Sequence, residues 1–149
     1  MSNFESITTE KDVQTYEAAS GVFSALLNEV RELSKKKPDS TMSTGKVKLV
    51  NNVLRDLITI LSSEPEGKYL APLEDEALPQ VSDALMMMAQ FDAAVRAFVS
   101  RYRVYVERPY RRRELRWITA EQVSIWDAED AELRQRSSDL SEEDGANLF

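Results

Sequence analysis

The chain has 149 residues, 42% of them apolar and 30% charged, with a formal net charge of -7 and neither cysteine nor histidine. A domain of this length can bury about 70% of its unfolded surface, and the composition is that of a folded chain rather than a disordered one. The two missing residue types exclude disulfides, thiolate and imidazole metal sites, thiol nucleophiles and every proton relay built on imidazole.

Four glycines and five prolines are too few for the frequent turns of a sandwich or barrel, so long helices are expected. No run approaches ~18 consecutive apolar residues, which argues against a membrane span. The start, MSNFESITTEKD, has neither the basic nor the apolar region of a signal peptide, so the expected location is the cytoplasm.

The first helix is predicted over about 9–36. Thr8, Thr9, Glu10 and Asp12 supply a hydroxyl cap and first-turn acids, and Val13, Tyr16, Phe23, Leu27 and Val30 recur at helical spacing. Lys35, Lys36 and Lys37 complement the negative end of the helix dipole, and Pro38 stops the helix. The polar connector PDSTMSTGK reads as a mobile, solvated hinge. Its Gly45-Lys46 pair matches only the end of a phosphate-binding loop, with no earlier glycine and no preceding strand.

A second helix is predicted over about 44–63, capped by Ser43 or Thr44, with a broad apolar stripe from Val47 to Leu61. Residues 65–79 hold three prolines and four acids, and read as an acidic loop with one short helical turn, held by its leucines. A third helix is predicted over about 79–107, with Val81, Leu85, Met88, Phe91, Val95, Phe98, Tyr102 and Tyr105 as its core stripe and Pro109 as its end. Met86-Met87-Met88 point three ways around it, so Met86 or Met87 is expected at the surface.

Residues 110–117 then read as a short helix, and Thr119-x-x-Gln122 as the capping box of a last one. The overall expectation is an all-α bundle over 1–136 with a flexible acidic tail over 137–149.

Seven of the twelve arginines lie between Arg101 and Arg116, threaded with Tyr102, Tyr105, Tyr110 and Trp117. Guanidinium groups fork onto phosphates and carboxylates and stack on rings. Arg101, Arg103, Arg108, Arg111, Arg112, Arg113 and Arg116 are therefore candidate contacts for a partner protein or for phosphate, with Tyr110 and Trp117 as aromatic contacts. As helical positions, Arg96 with Arg103 and Arg101 with Arg108 would each point one way.

The simpler account pairs these arginines with acids. The stretch 127–144 carries eight carboxylates against two arginines, and Leu148-Phe149 could anchor a docking tail. That ending resembles peptides that bind bacterial sliding clamps over those two residues alone, because Gly145 and Ala146 replace the rest of the pattern. Glu29 and Glu32 form an E-x-x-E pair that resembles one half of the motif of helical nucleoside-triphosphate pyrophosphatases. The second half is absent, and Glu129 with Glu132 repeats the spacing without a partner.

The sequence therefore predicts a non-catalytic interaction or assembly subunit, self-associating or docking on a larger bacterial or phage protein. It predicts no metal, no cofactor, no membrane contact and no small-molecule substrate. A nucleic-acid-binding accessory subunit using 101–117 is the second reading. An acidic inhibitor that fills the basic groove of a nucleic-acid-binding protein is the third.

Overall fold

In the computed structural model, which describes residues 4–109 and 111–146, helix α1 (Glu10–Lys36) starts at a hydroxyl cap. The Thr9 side chain accepts from the Asp12 amide at 3.2 Å, satisfying one of the free donors of the first turn. Helix α2 (Thr44–Leu61) starts in the same way, with Ser43 accepting from the Lys46 amide at 3.2 Å. The connector between them is tied down rather than mobile. Met42 is fully buried, its amide donates to the Pro79 carbonyl, and the Val81 and Ser82 amides donate to Ser40 and Pro38.

Those bonds set the direction of helix α3 (Val81–Tyr102), whose N-terminus lies beside the α1–α2 connector. α3 therefore runs antiparallel to α1 and parallel to α2. A parallel neighbour needs a return segment, and residues 62–80 provide it. A 3-10 turn (Pro65–Tyr69) is followed by an extended stretch with Leu73 buried and Leu70 and Leu78 half-buried, as expected of an acidic loop held by its leucines. Asn51, buried on α2, anchors the stretch at mid-length: its side-chain amide donates to the Leu73 carbonyl at 2.9 Å and its oxygen accepts from the Leu73 amide at 2.8 Å.

The three helices share one core, in which Phe23, Leu54, Leu57, Met88, Phe91 and Phe98 are fully buried. Each such side chain contributes roughly 1.5–3 kcal/mol of apolar transfer energy. Of the three methionines, Met88 is buried and Met86 is exposed, as consecutive helical positions require. No helix among the described residues is long and apolar enough to cross a membrane.

The C-terminal third departs from expectation. α3 ends at Tyr102 rather than Glu107, and 103–106 form strand β1 (Arg103–Val106). The segment expected as a short helix holds strand β2 (Glu114–Trp117), antiparallel to β1 with Tyr105 opposite Leu115 and Arg103 opposite Trp117. The run Val104-Tyr105-Val106 is β-branched and aromatic, so it favours a strand once a partner strand is present. The Ile118 amide donates to the Tyr102 carbonyl at 2.8 Å, closing the hairpin onto the end of α3.

Helix α4 (Ala120–Ala146) follows, its first turn capped by Thr119, which accepts from the Gln122 amide at 3.1 Å. Ahead of α1, Thr8 bridges to Thr119 in parallel, so the N-terminal segment lies along the start of α4. Val106, Ile118 and Trp126 make a second, small core there, closed by Phe4 at 5.6 Å from the Trp126 ring. The backbone stays helical over 137–146, where the sequence suggests a flexible tail. Pairs one turn apart support it, Arg136 with Glu132 at 2.9 Å and Gln135 with Asp139 at 3.2 Å.

Candidate interaction surface: the arginine hairpin and the acidic helix

Ending α3 at Tyr102 changes what every later arginine can reach. Arg101, in the last turn of α3, points back to the 3-10 turn and bonds Glu64 at 2.6 Å and Glu66 at 2.8 Å. The Tyr102 hydroxyl donates to the other oxygen of Glu64 at 2.7 Å. The hydrogen bond from Arg101 holds the Glu66 carboxyl below its ordinary range, and Glu66 in turn raises Arg101. Burial, reinforced by the bond to Glu64, pushes the Tyr102 phenol up to about 12. Arg101 thus joins the end of α3 to the return loop.

Arg108 does not share a direction with Arg101, because it lies past β1 rather than on α3. It is largely buried, donates to Asp130 at 2.8 Å, lies 3.6 Å from Glu129, and stacks 5.2 Å from the Trp126 ring. It is the joint between hairpin and α4. Arg116 lies 3.4 Å from Glu114 and bonds the Gln122 side chain at 3.0 Å, so Gln122 supplies only half of the capping box.

Among the described residues, the interleaved rings Tyr102, Tyr105 and Trp117 each have an arginine of the same chain beside them. Arg101 sits over Tyr102, Arg103 over Trp117, Arg108 over Trp126 and Arg113 over Tyr105, at 6.0, 6.0, 5.2 and 4.6 Å. Trp117 is therefore no open platform. It packs on Tyr16 and Phe98, at 5.4 and 5.8 Å between ring centres. Tyr105, expected in the core as a helical residue, is instead 61% exposed, because strand alternation turns it away from buried Val106. Arg113 is mostly exposed, with Glu107 at 3.9 Å. Arg111 and Arg112 are exposed and have no side-chain partner among the described residues. Tyr110, Leu148 and Phe149 lie outside the described residues.

The hairpin thus has two unlike faces. Val106 and Arg108 lie against Trp126 of α4, while Tyr105 and Leu115 look the other way. Beside Leu115, a shallow groove of about 450 Å³ runs between α1 and α3. Half-buried Tyr16 and Val99 and exposed Leu115 contribute its apolar surface above the buried Phe23 and Val95, and Arg96 and Arg103 border it. Both line this groove, but Arg103 belongs to β1 and not to α3, so the helical spacing that would align it with Arg96 does not apply.

α4 is the opposite in charge. Beyond Asp130 every described side chain is exposed, including Leu133 at 45% and Leu140 at 63%, seven residues apart. Sequence reading ended the last helix before Leu140, although Trp126, Leu133 and Leu140 fall at a strict interval of seven. It also missed Glu64 as the partner of Arg101, which no local pattern could reveal.

Glu29 and Glu32 lie on the exposed side of α1, and Lys35 bonds Glu32 and lowers its carboxyl. Among the described residues no three acids gather closely enough to hold a metal ion. No family model matches the chain, and neither a curated protein nor a solved structure matches it.

Proposed function

We propose that this protein is a non-catalytic assembly subunit, which docks through the outer half of α4 and the groove-side face of the hairpin. The observation that carries this reading is the state of α4 beyond Asp130: helical, charged, and with two leucines in water. A helix of this length gains little from its own backbone and owes most of its stability to packing. Leucines on an otherwise polar helix fit a hydrophobic groove on a partner. The absence of histidine and cysteine from the sequence points the same way, since it removes the commonest proton-transfer and thiol chemistry.

The test is a photo-crosslinking amino acid placed in the full chain at Leu140 and, separately, at Leu115, with exposed Lys48 on α2 as control. An adduct of one defined mass from the first two positions, and none from the control, is the expected result. No adduct from either would overturn the reading.

Nucleic-acid binding is a second reading, favoured by Arg111 and Arg112, exposed on the hairpin loop without an acidic partner among the described residues. It requires affinity for single-stranded RNA or duplex DNA that falls steeply between about 50 and 200 mM salt. Fluorescence anisotropy of the full chain and of its R111A/R112A variant reads this directly. Equal binding by the two, or none, would refute it.

A further inference from the structure

We infer that the partner is a second copy of this chain: the outer half of α4 from one molecule fills the α1–α3 groove of the other, and the exchange is reciprocal. This rests on the reading of the protein as an assembly subunit.

The groove has the form of an empty helix slot. α1 packs on α2 along one side and on α3 along another, and half-buried Tyr16 and Val99 remain along the open seam, floored by buried Phe23 and Val95. Ser20, Ser24 and Ser100 line the same seam and are small enough for a helix backbone to approach. The outer half of α4 has the matching form. Leu133 and Leu140 are about 10.5 Å apart along the helix and lie on one side of it. Residues 131–146 span about 24 Å, enough to cover the seam from Asp92 to Arg103.

Charge selects the occupant. Arg96 and Arg103 border the groove, and Arg113 stands beyond it on the same hairpin face. The acids flanking Leu140 on α4 are Asp139 and Glu143, one turn apart and both exposed. Arg96 is bonded to Asp92 at 3.0 Å, but that pair is solvent-facing and can be shared with an incoming carboxylate.

The molecule's own α4 cannot reach this slot. Its second turn is fixed to the opposite face of the hairpin by Trp126 and by the bonds between Arg108 and Asp130, and its first turn is tied to α1 through Glu121, which accepts from the Glu10 amide at 3.0 Å. The exchange must therefore occur between molecules. An isologous pair lets both arms dock at once about a two-fold axis.

Sedimentation velocity on the full chain, from about 1 to 200 µM, tests this. The wild type is expected to be dimeric. Two variants with exposed substitutions, L133D/L140D and R96E/R103E, are each expected to weaken the dimer by at least about tenfold with the far-UV spectrum unchanged. Adding D139R/E143R to R96E/R103E should restore it, which general destabilisation would not allow. Leu49→Asp, at an exposed leucine of α2, should leave the dimer intact.

A monomeric wild type throughout this range overturns the inference, and so does a dimer that both double variants leave unchanged or one lost only in Leu49→Asp. A crosslink from Leu140 to a foreign protein would keep the assembly reading while removing the second copy as partner. No crosslink at all would remove both.

Discussion

Replacing Asn51 by leucine tests how the return loop is held. Asn51 is one of three buried polar residues among the described residues, and its amide group makes two hydrogen bonds to the backbone of Leu73. Leucine has a similar volume and keeps the site apolar, but it leaves one buried N–H and one buried C=O unpaired. Each orphaned group costs about 1–3 kcal/mol, so the expected loss is about 2–5 kcal/mol. That is a large share of a total stability of roughly 5–15 kcal/mol.

At ~3 °C per kcal/mol, a loss of ~3 kcal/mol lowers the melting temperature by about 10 °C. Urea unfolding followed by circular dichroism reads it as a lower midpoint with an unchanged slope. Exposed Asn52→Ala, one residue on, is the control and should shift stability by less than ~0.5 kcal/mol. Asn51→Asp adds a check on mechanism. A carboxyl can donate to the Leu73 carbonyl only when protonated, so the variant should be closer to wild type at acid pH and lose stability as pH rises. A loss below ~1 kcal/mol in Asn51→Leu would show that Leu73 finds other partners and would refute the argument.

Arg108→Ala should release the hairpin from α4, costing about 1–3 kcal/mol through the lost charge-assisted bonds to Asp130. Hydrogen exchange should then quicken in Arg103–Val106 and Glu114–Trp117 before the three-helix core changes. Gly67→Ala would drive a methyl group into the Leu61 carbonyl, so this variant should lose about 1–3 kcal/mol in the same urea assay. Because Tyr102 is raised to about 12 in the fold, chiefly by burial and then by Glu64, its neutral form is favoured there. Its contribution is complete below the unfolded tyrosine value of ~10 and is lost as pH rises through the folded one. Alkaline titration at the tyrosinate absorption band should show one late-titrating phenol, absent in Tyr102→Phe.

Much of the bundle was legible residue by residue. Thr9 and Ser43 are caps because a hydroxyl precedes an apolar stripe, and the stripes of 13–30 and 47–61 repeat at a period that only a helix can bury on one side. The three methionines could be sorted by angle alone. These are local properties, set by neighbours within four or five residues in the chain.

The segment from Arg103 onward was ambiguous because Tyr102 and Tyr105 are three apart, which suits a helix, while Val104 and Val106 alternate, which suits a strand. The choice was made by residues 114–117, a partner that no local window contains. That choice turned Tyr105 outward and sent Arg108 to Asp130 instead of alongside Arg101. The sequence by itself determined that the chain forms long helices, lacks thiol and imidazole chemistry and concentrates its arginines among rings. Only the tertiary structure decided which arginines are occupied, because charge pairing depends on distance in space, and Glu64 lies 37 residues from Arg101.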